Sequence, residues 1–72
     1  MDDPSHDPIN QLTPRELETL RAIALGLSAK EVAKLLNIAP RTVERHIDHI
    51  RLKTRTRNRS HMVAFAIANG LV

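Results

Sequence analysis

Ser28-Ala29-Lys30-Glu31-Val32-Ala33-Lys34-Leu35-Leu36-Asn37-Ile38-Ala39-Pro40-Arg41-Thr42-Val43-Glu44-Arg45-His46-Ile47-Asp48-His49-Ile50 is the stretch whose reading decides the fold. Ser28 and Glu31 stand in capping-box relation: the hydroxyl takes the N–H three residues on, and the carboxylate returns to the cap's own N–H. Val32, Ala33, Leu35 and Leu36 follow as the apolar stripe of a short helix. Asn37 tolerates a positive φ and ends it. Only Asn37, Ile38 and Ala39 separate that helix from Pro40, which suits a first helical position. Ala39 offers no side-chain acceptor, so this start is poorly capped. Val43, Ile47, Ile50 and Thr54 line one side of a longer helix over about residues 40–54, with His46 beside them. Its opposite side carries Arg41, Glu44, Arg45, Asp48 and Arg51. Two helices joined by so short a turn are a helix-turn-helix. The charged outer side of the second helix suits a major groove about 12 Å wide.

Working outward, Leu12-Thr13-Pro14-Arg15-Glu16 predicts an earlier helix start. Thr13 caps, Pro14 takes the first position and Glu16 completes a second capping box. Leu17, Leu20, Ile23, Ala24 and Leu27 recur at helical spacing, and Gly26 ends the helix by a left-handed exit. On the far side, a fourth helix is predicted from near Asn58 to Asn69, with Gly70 ending it and Leu71 packing back over the last turn. Met62, Val63, Ala66 and Ile67 are assigned to its core face, and His61, Ala64, Phe65 and Ala68 to its other side. A helix apolar all round in so small a domain is expected to be covered on two sides. Residues 1–11, rich in Asp and Pro without periodicity, read as an unstructured leader, leaving one domain over residues 12–72. The expected class is all-α, a four-helix bundle-like domain.

Composition agrees. The chain has 72 residues, 42% of them hydrophobic, and Phe65 is its one aromatic. A core of Leu, Ile, Val and Ala favours short packed helices. No cysteine is present, which excludes disulfide scaffolds and thiolate zinc sites. The longest apolar run, Met62 to Ala68, is far below the ~20 residues of a membrane span. No charged-then-apolar leader opens the chain, so a soluble cytoplasmic protein is expected. Charge is divided unevenly. Residues 1–40 hold four bases against six acids, whereas residues 41–72 hold seven bases against two. Arg51, Lys53, Arg55, Arg57 and Arg59 fall together with no acid among them. Such clustering points to a polyanion, or more blandly to a solvated face and a basic loop.

Five blocks carry a resemblance: Leu12-Thr13-Pro14-Arg15-Glu16, Gly26 to Ala33, Thr42-Val43-Glu44-Arg45-His46, Asn58-Arg59, and Gly70-Leu71-Val72. Together, over roughly residues 10–72, they resemble the LuxR-type helix-turn-helix. The resemblance implies a four-helix DNA-binding domain of a bacterial transcription regulator, with the third helix reading bases of duplex DNA. It also implies a homodimer through the fourth helix, over His61, Ala64, Phe65 and Ala68, and a sensory domain ahead of residue 1 or in a separate protein. Departures are visible. Glu44 stands where the family often has Lys, and Asp48 where many members are basic. Thr54 and Thr56 replace a preferred Leu and Val, and Ala39 replaces a frequent Ser, a loss of ~1 kcal/mol of capping.

Arg45 is the foremost candidate base reader, since a guanidinium matches guanine O6 and N7; its bland alternative is pairing with nearby acids. Glu44 and Asp48 are candidate base contacts because a carboxylate accepts from the cytosine amino group. Ser28, Lys30, Arg41 and Thr42, at two helix starts, are candidate phosphate contacts, with simple helix-start chemistry as the alternative. Lys53, Arg57 and Arg59 are candidate backbone clamps or else solvated. His46 reads as packed and hydrogen-bonded, and the His46–His49 pair lacks a third donor for a metal. No cofactor is called for, and no nucleophile–base pair, glycine-rich phosphate loop or carboxylate dyad suggests an enzyme. RNA polymerase is a further candidate partner. A sigma-factor-like promoter module and a helical adaptor binding protein through the fourth helix are the rival readings.

Overall fold

The computed structural model describes residues 8–72, and over these residues it contains five helices and no strand. They are α1 (Pro8–Gln11), α2 (Pro14–Ala24), α3 (Ala29–Leu36), α4 (Pro40–Thr54) and α5 (Arg59–Ala68). The four helices expected from periodicity are α2 to α5. The expected leader lies outside the described residues as far as Asp7. Its last four residues correct that expectation: they form the single turn of α1, whose end is continued by the Leu12 N–H donating to the Ile9 carbonyl at 3.2 Å. So short an element has no periodicity to betray it.

Both capping boxes form. Thr13 Oγ1 accepts from the Glu16 N–H at 3.1 Å while Glu16 Oε1 accepts from the Thr13 N–H at 2.9 Å. Ser28 and Glu31 repeat the pattern at 3.2 and 2.9 Å. Glu31 is exposed, and the Ser28 N–H, then its hydroxyl, hold its carboxyl below the ordinary value. Ala39 gives α4 no side-chain cap, as its chemistry requires. Asn58 Oδ1 caps α5 by accepting from the His61 N–H at 2.9 Å.

All four longer helices end in the same way, with one residue in the left-handed region followed by a backbone bond reaching back across the last turn. The left-handed residues are Gly26, Asn37, Arg55 and Gly70, and the closing N–H groups belong to Leu27, Ile38, Thr56 and Leu71. Arg55 is the exception in kind, a β-carbon-bearing residue at φ 57° without the local hydrogen-bonding side chain that helps Asn there.

The core is built from one stripe of each of the four longer helices together with Leu12: Leu12, Leu20, Ile23, Val32, Val43, Ile47, Ile50, Met62 and Ala66 are buried. Thr54 and Thr56 are buried too, and their hydroxyls satisfy one another at 3.0 Å while Thr54 also donates to the Ile50 carbonyl at 2.7 Å. The Leu and Val that the family prefers are thus replaced by a closed polar pair.

Three side chains face otherwise than expected. Leu35 and Ile67 are 64% and 58% exposed, so neither joins the core. Phe65, expected on the outer side of α5, is half-buried against the core. With Met62 and Ala66 fixing the inward direction of α5, Phe65 and Val63 flank it and Ile67 is turned out.

Candidate nucleic-acid interface

The site is the outer face of α4, and what holds that face in place starts on its underside. Val43, Ile47 and Ile50 are buried against α2 and α3. Helical periodicity then turns Arg41, Glu44, Arg45, Asp48, His49 and Leu52 outward, and all six are exposed. Arg41, Arg45 and His49 are four residues apart and form one ridge. Among the described residues no carboxylate lies within ion-pair distance of Arg41 or Arg45. The bland expectation that Arg45 is neutralised by flanking acids is therefore not what the structure shows. Glu44 and Asp48 border the ridge and leave its guanidinium groups unpaired.

A buried carboxylate fixes the face from the side. Glu16, 3% exposed, accepts from Lys53 Nζ at 2.7 Å through the same Oε1 that holds the Thr13 N–H. Its Oε2 lies 3.6 Å from His49 Nδ1. Burial pushes the Glu16 carboxyl up. The hydrogen bond from Lys53, the Thr13 N–H, the Lys53 charge and the Thr13 hydroxyl outweigh that and hold it below its ordinary value. Glu16 is thus ionised at neutral pH and ties the start of α2 to the last two turns of α4. Lys53, expected as a free phosphate clamp, instead directs its ammonium inward to this carboxylate. Glu16 itself was legible only as a capping residue, since its partner lies 37 residues along the chain.

The remaining candidates are distributed around this face. Ser28 and Lys30 sit at the exposed start of α3, and Ser28's hydroxyl is engaged in its capping box. Thr42 is half-buried at the start of α4. Arg57 is exposed in the segment leading into α5, and Arg59 is exposed at the first position of that helix. His61 orders that segment: its Nδ1 accepts from the Arg57 N–H at 3.1 Å. His46 is half-buried beside the apolar stripe, but among the described residues its ring has no hydrogen-bond partner, which corrects the expected hydrogen bond. On the outer side of α5, Ala64 and Ala68 are exposed with His61, and Ile67 supplies the large apolar side chain that Phe65 was expected to provide. Among the described residues no group of three His, Cys, Asp or Glu could hold a metal ion, and no helix is long and apolar enough to cross a membrane.

A three-residue turn, a buried underside and an unpaired cationic ridge define a helix-turn-helix DNA-binding domain. Comparison with known proteins names the lineage: the family model "Bacterial regulatory proteins, luxR family" matches residues 10–66, and the chain belongs to that family. It is 45% identical over 53 residues to the nitrate/nitrite response regulator protein NarP of Escherichia coli, covering 74% of this chain and 25% of that protein. It is 42% identical over 60 residues to the probable transcriptional regulator ycf29 of Cyanophora paradoxa, covering 83% of this chain and 29% of the relative. It is 37% identical over 70 residues to the transcriptional activator protein BjaR1 of Bradyrhizobium diazoefficiens, covering 97% and 29%. The chain thus spans between a quarter and a third of the length of these relatives. No solved structure matches.

Proposed function

We propose that this domain binds specific duplex DNA sites by laying the outer face of α4 in the major groove, and that it does so to regulate transcription. The observation that carries this reading is the ridge of Arg41 and Arg45, exposed and without carboxylate partners above an anchored apolar underside. Arg45 is placed to read guanine through O6 and N7, with Glu44 and Asp48 accepting from neighbouring cytosine amino groups. Arg41, Thr42, Ser28 and Lys30 lie at helix starts, where free N–H groups favour phosphate, and Arg57 and Arg59 add backbone contacts.

The working form is a homodimer through the outer face of α5, with Ala64, Ile67 and Ala68 at its centre and His61 at its edge. What supports this is that Ala64, Ile67 and Ala68 are exposed side by side on one helix, and contiguous apolar surface is what a partner covers. Two copies on a palindrome would set their α4 helices ~34 Å apart. Selecting bound sequences from random duplexes tests binding, specificity and spacing together. The expected result is a palindromic site whose affinity falls steeply with salt. A protein that enriches no sequence and shows no salt slope would instead be an adaptor.

A further inference from the structure

We propose that the groove between α3 and the start of α4 docks an acidic amphipathic helix of a partner protein, and that this helix competes with the DNA backbone for Lys30. The docking is independent of the major-groove reading, whereas the competition rests on the phosphate contact proposed there for Lys30.

The groove has a volume of about 400 Å³ and is lined by Lys30, Ala33, Lys34, Asn37, Ile38 and Pro40. Local backbone chemistry makes it. Asn37 leaves α3 in the left-handed region at φ 56°, and Ile38 turns back to donate its N–H to the Ala33 carbonyl at 3.0 Å. That exit sets Ile38 beside Ala33, so a buried alanine and a half-buried isoleucine give the groove an apolar floor. Pro40, exposed at the first position of α4, adds a stiff apolar wall at the turn. The groove is open to solvent and not enclosed. This suits an elongated protein segment better than a small molecule, which needs most of its surface covered.

Charge complementarity names the occupant. Lys30 and Lys34 are one turn apart on α3, so their β-carbons stand ~6 Å apart on one face. Both are exposed, and among the described residues neither has a carboxylate within ion-pair distance. Glu31, the acid beside them in sequence, commits its Oε1 to the Ser28 N–H at 2.9 Å. Two unpaired ammonium groups therefore border an apolar floor. Their complement is a helix with two carboxylates one turn apart and an aliphatic side chain on the same face. A DNA strand matches the charges but not the floor, because its backbone has no aliphatic group to cover Ala33 and Ile38. Lys30 stands at the start of α3, and an acidic helix seated on both lysines takes it from the phosphate. By linkage the duplex weakens the helix to the same extent. In the sequence Lys30 reads only as a helix-start contact and Lys34 as one more charge, because the floor exists only once the turn folds back.

The test titrates the isotope-labelled full chain, followed by NMR, with a blocked alanine-based peptide carrying two Glu one turn apart and an adjoining Leu on the same face. The control peptide has Gln in place of both Glu. In parallel, the affinity for a selected duplex is measured by fluorescence anisotropy with and without saturating peptide at fixed ionic strength. Saturable shifts are expected at the groove residues and none with the Gln control. Lys34→Gln weakens the peptide by about two- to fivefold and leaves duplex affinity and the circular dichroism spectrum unchanged. Saturating peptide weakens wild-type duplex binding by about fivefold or more. Equal binding of the Gln peptide, shifts centred on Arg41 and Arg45 or on Arg55 to Arg59, or undiminished binding by Lys34→Gln overturns the docking. A peptide that seats in the groove and leaves duplex affinity untouched overturns the competition. Wild type that takes up the peptide but binds no duplex overturns the major-groove reading and leaves the docking standing.

Discussion

Substituting Lys53 by Met probes the anchoring of α4 most sharply, because it leaves a buried carboxylate without its ammonium. Glu16 Oε1 takes two donors, the Thr13 N–H at 2.9 Å and Lys53 Nζ at 2.7 Å, with only 4% of the Glu16 side chain exposed. A hydrogen bond to a charged group is worth roughly 1.5–3 kcal/mol. The Lys53 side chain is 32% exposed, so solvent screening reduces the pair to about 1 kcal/mol. Lys53→Met forfeits that and adds desolvation of the stranded carboxylate, for a total loss of about 1–2 kcal/mol. In a domain this small each kcal/mol lowers Tm by about 4–8 °C, so the variant should melt about 5–15 °C below wild type at pH 7. Glu16→Gln keeps an oxygen for Thr13 and gives up only the charge. A double-mutant cycle with both substitutions, followed by thermal and urea unfolding, should return a coupling of about 1 kcal/mol. The sign with pH follows from the lowered Glu16 pKa. Its stabilisation is complete above the unfolded-state value, near 4.5, and is lost as pH falls through the lower folded value. The gap between wild type and Glu16→Gln should therefore close from pH 4.5 downward. Lys53→Met melting at or above wild type, or a cycle with no coupling at pH 7, would refute the tether.

Three further outcomes are expected. Arg45→Ala should cost about 1–3 kcal/mol on a selected duplex and relax preference at one base pair; equal weakening on every sequence would make Arg45 a phosphate contact. Arg55→Gly should raise stability by up to ~1 kcal/mol, because glycine enters the left-handed region at φ 57° without a β-carbon clash, and an unchanged urea midpoint would show that Arg55 is not strained. Ile67→Glu should yield monomers in analytical ultracentrifugation without loss of helix, whereas Phe65→Glu should lower Tm because Phe65 leans on the core; intact Ile67→Glu dimers would move the interface elsewhere.

What could be read in the sequence was whatever depends on residues a few places apart. Thr13 with Glu16, Ser28 with Glu31, and the exits at Gly26, Asn37 and Gly70 are local chemistry, and each forms as its spacing requires. The inward face of α4 was equally plain, because Val43, Ile47 and Ile50 alternate with charged neighbours. The orientation of α5 was not. Its apolar residues encircle the helix, so periodicity gives no direction, and Ile67 and Phe65 exchange the places expected of them. Leu35 misled for a related reason, lying beside Leu36 with only one of the pair able to face inward. The Glu16–Lys53–His49 cluster joins residues more than thirty positions apart, which only the packing of α2 on α4 brings together. Arg41 and Arg45 were legible as an outward pair, but their freedom from Glu44 and Asp48 depends on side-chain placement.

Guanine methylation interference tests the groove assignment most directly, because guanine N7 opens only into the major groove. With α4 inserted through Arg45, methylating N7 within a selected site should abolish binding at two clusters of guanines ~34 Å apart. Binding that ignores N7 methylation throughout the site, while methylation of adenine N3 in the minor groove blocks it, would contradict the placement of α4.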